Sequence, residues 1–144
     1  MSNDKFVYVT YIATTPQKVW DAIVKGELTR QYWKHENISD WKPGSKWQQV
    51  ADDGKRTVKL VGQVLESVQN KRLAMTWGEI AAADKAKQSR VTIDIETVGN
   101  MVRITVTHEE FAPEMWQKIS QGWPRVLSSL KSFLETGVPL DTCA

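Results

Sequence analysis

Residues 113–135 read PEMWQKISQGWPRVLSSLKSFLE, and this stretch decides the fold. Its apolar residues are Trp116, Ile119, Trp123, Val126, Leu127, Leu130, Phe133 and Leu134, separated by steps of 3, 4, 3, 1, 3, 3 and 1. That spacing draws one stripe along a helix. Glu114, Lys118, Gln121, Arg125, Ser128, Ser132 and Glu135 fall on the opposite side, and all are polar. Gly137 supplies a C′ glycine and Pro139 blocks continuation. The stretch therefore predicts a helix of roughly 20 residues, about 30 Å long. Its stripe is too wide and too aromatic to face water, so a large apolar surface elsewhere in the chain must cover it.

Gly122-Trp123-Pro124 interrupts this pattern. Pro124 removes the hydrogen bond to the Ser120 carbonyl and biases Trp123 away from the helical region. Two readings follow. The helix bends here, or a short first segment ends near Gln121 and Pro124 opens the main one at N1. A bend fits a curved partner surface, and it also fits a ligand cavity.

The covering surface is predicted upstream. Phe6 to Ala13 is β-branched and aromatic, and reads as a strand. Thr15 then serves as an N-cap and Pro16 as N1 of a helix with Val19, Trp20, Ile23 and Val24 on its apolar face, ended by Gly26. A second short helix covers Leu28 to Trp33. From His35 to Pro43 a loop leads toward the next strand, Lys46 to Val50. Trp41 falls in this loop, before the Pro43-Gly44 turn and away from any cleft. Asp52-Asp53-Gly54 marks a hairpin, and Arg56 to Ser67 a strand in which Gly62 implies a bulge or sharp curvature. Arg72 to Trp77 carries Leu73, Met75 and Trp77 on one face, and Gly78 to Gln88 reads as a loop. Arg90 to Val98 and Met101 to Glu110 alternate cleanly, with Val91, Ile93, Ile95 and then Val102, Ile104, Val106 and His108 on the inner side. One apolar and one polar face mean an antiparallel sheet covered on one side. The fold class is α+β: a curved antiparallel sheet wrapped around the long C-terminal helix, with two short helices after the first strand.

At 144 residues, 41% hydrophobic and 25% charged, the chain is sized for one domain, placed at residues 1–137 with 138–144 as a loose tail. No run has the length of a membrane span, and no signal peptide is read at the N-terminus. The single Cys143 has no internal partner, which fits a cytoplasmic setting. The net charge is +2, with Lys and Arg scattered among 17 acids. That is a solvated surface rather than a track for nucleic-acid phosphates, so no direct nucleic-acid binding is expected.

These elements carry a resemblance. Tyr11-Ile12-Ala13-Thr14-Thr15-Pro16 through Val19-Trp20, Leu28-Thr29-Arg30-Gln31-Tyr32-Trp33 and Ser39-Asp40-Trp41-Lys42-Pro43-Gly44-Ser45 are its first pieces. Gly62-Gln63-Val64-Leu65-Glu66, Ser89-Arg90-Val91-Thr92, Val106-Thr107-His108 and Gly122-Trp123-Pro124 through Gly137 complete it. The chain resembles the START-like (SRPBCC, helix-grip) superfamily, in the branch named after the activator of the heat-shock-protein-90 ATPase. The resemblance implies a helix-grip domain with an internal hydrophobic cavity. Relatives bind lipids, sterols, polyketides or other apolar molecules, and some catalyse cyclisation or hydrolysis there. A chaperone or a transcriptional regulator is the protein partner it implies.

Chemistry-bearing motifs are sparse. Two His and one Cys make no metal motif, and no serine elbow, phosphate loop or dinucleotide fingerprint occurs, so neither metal nor cofactor is expected. His108 and Glu110 share one strand face and could form an acid–base pair; the alternative is a strand-end histidine hydrogen-bonded at the core rim. Arg90 falls on the outward register. The aromatic residues form the stronger group: Tyr32 and Trp33 end the second helix, Trp77 ends an inward strand face, Phe111 opens the long helix, and Trp116 and Trp123 face the sheet from it. Each alone is ordinary core packing. Together they line an apolar pocket, with Tyr32 and His108 as its polar contacts. The chain thus reads as a binding module for an apolar or amphipathic small molecule. A cyclase- or hydrolase-like enzyme using His108, and a co-chaperone-like or regulator-associated interaction protein, are the alternatives.

Overall fold

The computed structural model describes residues 5–79 and 88–140. Seven antiparallel strands form one curled sheet in the order β1-β7-β6-β5-β4-β3-β2. They are β1 (Lys5–Ile12), β2 (His35–Ile38), β3 (Lys46–Ala51), β4 (Val58–Val68), β5 (Arg72–Glu79), β6 (Ser89–Val98) and β7 (Met101–Glu109). Helices α1 (Pro16–Val24) and α2 (Gly26–Trp33) carry the chain from one edge of the sheet to the other, and α3 (Trp116–Thr136) lies across its concave face. The loop expected over Gly78 to Gln88 lies mostly outside the described residues.

The helix stripe and the strand alternation meet as their periods dictate. Ile119, Trp123, Val126, Leu127 and Leu130 of α3 are buried against Leu73, Met75, Val91, Ile93, Ile104 and Val106 of the sheet. Burying one large side chain is worth about 1.5–3 kcal/mol, so this layer is what holds the curled sheet closed. The helix is continuous through Pro124, preceded by a single 3-10 turn at Pro113–Met115. Pro124 is therefore an interior residue and not the N1 position of a separate helix. At the far end Gly137 (φ 84°) closes α3, its N–H donating to the Phe133 carbonyl at 2.9 Å.

Three local expectations change. Gly26 begins α2 rather than merely ending α1, which Lys25 caps. His35–Ile38, expected as loop, is an edge strand paired to β3. β4 carries its register shift between Val64 and Glu66, past Gly62, while a second shift falls in β3 at Gln49/Val50. Gly62 instead permits a close approach: a Cβ there would lie 2.0 Å from the Thr76 carbonyl oxygen and 2.4 Å from the Trp47 indole nitrogen. That nitrogen donates to Thr76 O at 2.8 Å.

Residues 138–140, counted in the loose tail, are tied to the helix. The buried hydroxyl of Ser129 donates to Tyr32 O at 2.8 Å and accepts from the Leu140 N–H at 3.1 Å. One atom thus joins α2, α3 and the chain after Gly137. Leaving a buried polar group unsatisfied costs about 1–3 kcal/mol. Ser129→Ala is expected to lower the unfolding free energy by about that amount in urea titrations, whereas Ser128→Ala, on the exposed side of the same helix, leaves it unchanged. Equal effects of the two would remove this role.

Candidate functional site

Under α3 the large rings form one run. Trp77 of β5 is the hub: its ring centroid lies 5.1 Å from Trp47, 5.3 Å from Trp123, 5.9 Å from His108 and 6.1 Å from Trp33. Trp33 also meets Trp123 edge-on at 5.7 Å, and Tyr32 continues from it toward Phe133. In the other direction His108 meets Phe111 at 5.4 Å, and Phe111 meets Trp116 at 6.1 Å. The seven aromatic and histidine positions singled out in the sequence are thus contiguous. Two further indoles join them: Trp41 stacks on Trp47 at 6.4 Å. Trp41, expected to lie apart in its loop, is part of the wall. No sequence signal placed it there, because its contact is made by a loop folding over β3.

His108 is 2% exposed, and its two ring nitrogens are both occupied. Trp123 Nε1 donates to Nδ1 at 3.0 Å. An indole N–H can only donate, so Nδ1 must carry a lone pair and the proton must sit on Nε2. Nε2–H then donates to Ser89 Oγ at 2.7 Å, and the Ser89 hydroxyl donates onward to Trp77 O at 3.0 Å. The direction of this chain matters chemically. A nucleophilic serine needs the imidazole to accept its proton, and here the imidazole donates to it. Burial also draws the His108 pKa down from 6.5 to about 4, so the ring is neutral at ordinary pH.

Of the two readings of His108, the hydrogen-bonded histidine is the one found, and the His108–Glu110 pair does not form. Glu110 leaves the strand in a left-handed conformation (φ 64°), is exposed, and lies 3.6 Å from Arg90. Arg90 is on the surface as its register implied, and it also reaches Glu109 at 3.5 Å. Tyr32 is not available as a polar contact either. Its hydroxyl donates to Ala22 O at 2.8 Å, and burial raises its phenol above the ordinary range. Trp116 was expected to face the sheet interior. It is 45% exposed and rests edge-on against Phe6 of β1, because the first turn of α3 overhangs the sheet's β1 edge.

Two spaces adjoin the rings. The enclosed one lies between sheet and helix, bounded by Met75, Ile93, Trp123 and Leu127, and holds about 10 Å³, room for one water at most. The interior is filled by its own side chains. The other is an open cleft of about 270 Å³ on the outer side of α3. Lys118, Gln121, Gly122 and Arg125 form its helix wall, and His35 stands opposite. His35 Nδ1 donates to the backbone carbonyl of Trp33 at 3.0 Å, which fixes its ring at the end of α2. Trp33 and Val126 line both spaces. They are the partition between open cleft and closed core. In the sequence this cleft was visible only as the polar side of the helix. Among the described residues no cluster of His, Cys, Asp and Glu could hold a metal ion, and no helix is long and apolar enough to cross a membrane.

Comparison with known proteins matches residues 13–135 to the model of the family described as activator of Hsp90 ATPase homolog 1-like protein. Among solved structures, a protein of Mesorhizobium loti is 25% identical with a TM-score of 0.78, covering 91% of this chain and 96% of that one. The Aha1 dimer from Colwellia psychrerythraea is 18% identical with a TM-score of 0.78, covering 93% and 98%. An HSP90 activator from Plasmodium falciparum is 17% identical with a TM-score of 0.76, covering 90% and 95%. No curated protein matches the sequence.

Proposed function

The chain belongs to the family of activator of Hsp90 ATPase homolog 1-like proteins, and from that premise we propose that it binds an apolar or amphipathic small molecule of lipid, sterol or polyketide type between α3 and the sheet. One observation carries this reading: Trp33 and Val126 each line both an open cleft and a ring-lined core, so these two side chains are the partition between the two. Trp33, Trp41 and Trp77 around this partition are only half-buried. Rings left partly wet at a seam gain burial when an apolar body enters it. Because the closed core holds no more than a water, entry requires these rings to part.

The wiring of His108 supports binding without chemistry. Its lone pair is taken by Trp123 and its proton by Ser89, so it holds the indoles in place and is not set to move a proton. A chaperone-directed role draws on the family's description and on a shared fold at 17–18% identity, and a shared fold speaks to architecture.

The test is a library of fatty acids, sterols, flavonoids and polyketides read by melting temperature and tryptophan fluorescence together. A ligand at a hundredfold excess over Kd stabilises by about 2.7 kcal/mol. At about 2–4 °C per kcal/mol this raises Tm by roughly 5–10 °C. Trp33→Ala is expected to abolish the response, and Trp116→Ala, outside the seam, to keep it. A library silent in both readouts would end the binding reading.

A further inference from the structure

The open cleft has a composition of its own. Lys118, Gln121, Gly122 and Arg125 recur at helical spacing and face one way, while Trp33 and Val126 form an apolar floor. Two cations and an amide look into it, and no acid is among the described residues that line it. Arg125 is exposed and makes no ion pair with any described residue. Its fork of donors suits a carboxylate or phosphate bound through two parallel hydrogen bonds.

Gly122 adds an independent sign. It sits inside α3, where alanine is the better helix former. Its backbone has no positive φ, and nothing lies within 4 Å of where a Cβ would project. Neither conformation nor packing demands a glycine here. What its missing side chain does is leave the cleft wall open beside Trp33 and Arg125.

We infer that this cleft is the seat for the anionic head group of an amphipathic ligand, whose apolar body passes between Trp33 and Val126 toward the indoles. The inference rests on the binding reading above and adds the charge of the ligand to it. At about 270 Å³ the cleft is small for a whole drug-sized ligand and large enough for a head group and its first carbons. Arg125 holds the head at the surface, where it keeps part of its hydration, while the apolar floor directs the rest inward.

Three probes of equal chain length separate the two ideas: dodecanoate, dodecan-1-ol and dodecyltrimethylammonium, each below its micelle-forming concentration, titrated at pH 8 by tryptophan fluorescence. Dodecanoate should bind at least about tenfold tighter than the alcohol, as one charge-assisted bond implies, and the cation should bind weakest. Added salt should weaken dodecanoate and leave the alcohol unchanged. Arg125→Gln should bring dodecanoate to the level of the alcohol without changing the alcohol's own affinity. Gly122→Leu, which fills the cleft with a good helix former, should weaken dodecanoate with no loss of Tm. If the alcohol binds wild type as tightly as dodecanoate, or Arg125→Gln keeps the preference, the head-group seat is wrong and the binding reading stands. If none of the three binds, the head-group seat falls, and the binding reading is decided by the library.

Discussion

Gly62→Ala should destabilise this protein by about 3 kcal/mol or more, above the usual range for an overpacked site. The reason is that the added methyl meets backbone. An ideal Cβ at position 62 would stand 2.0 Å from Thr76 O and 2.8 Å from its carbonyl carbon. Neither can swing aside as a side chain would, because Thr76 belongs to β5 and is held between β4 and β6. Thr76 O is also the acceptor for the buried Trp47 indole, so moving it releases that N–H as well. At about 2–4 °C per kcal/mol the Tm should fall by roughly 10 °C. Gly122→Ala is the matched contrast. Nothing lies near its Cβ, so it should raise stability by about 0.5–1 kcal/mol through helix propensity alone. Thermal melts of the two variants beside wild type decide the matter, and a mild effect at position 62 would mean that β5 yields where the packing says it cannot.

Acidification from pH 7 to 4.5 should weaken folding by about 2 kcal/mol through His108 alone, at 1.36 kcal/mol per pKa unit. In the folded protein burial holds this pKa near 4, below its ordinary 6.5. The unfolded chain therefore takes up a proton at a pH where the native one does not. The contribution is complete above pH 6.5 and declines as pH falls toward 4, where the folded form titrates too. Protonation of Nδ1 would set two donors, the imidazolium and Trp123 Nε1–H, against each other at 3.0 Å. The carboxylates whose pKa values are lowered, Asp40, Asp53 and Glu135, are hydrogen-bonded at the surface and weigh in at more acid pH. Urea midpoints measured between pH 7 and 4.5 should slope for wild type and flatten for His108→Gln, from a lower starting stability. A flat wild-type profile would show that His108 takes its proton without breaking the network.

The parts of this fold that were legible in the sequence are those governed by a period. The stripe from Ile119 to Leu130 and the alternation from Val91 to His108 each state which face is buried, and the two faces meet. Thr15 and Pro16 were legible because a cap is a local arrangement, confirmed by the Lys18 N–H bond to Thr15 Oγ1 at 3.3 Å. β2 was not. His35-Glu36-Asn37-Ile38 buries only Asn37, whose side-chain Oδ1 accepts from Gln49 Nε2 and whose backbone N–H donates to Thr29 Oγ1. A strand held by polar pairing leaves no apolar pattern to read. Trp116 misled for a different reason: periodicity gives a residue's angle around the helix, not how far the opposing sheet extends beneath it. The candidate site divides along the same line. The rings were visible as a set because their kind and their places at element ends could be read. The direction of the Ser89–His108–Trp123 chain could not, since it depends on β6, β7 and α3 arriving within 3.0 Å of one another.

The row of indoles has an optical consequence. Trp41, Trp47, Trp77, Trp33 and Trp123 stand in sequence with centroids 5.1–6.4 Å apart. At such separations the excited states of neighbouring chromophores mix, and energy absorbed by one ring is shared before it is emitted. The protein should therefore behave spectroscopically as one chiral array, with an exciton couplet in its dichroism rather than a sum of separate tryptophan bands. Removing Trp77 would break the array into short pieces, and removing Trp41 would only trim its end. Any event that shifts a single ring then registers as a change in the collective signal, so the domain carries its own built-in reporter.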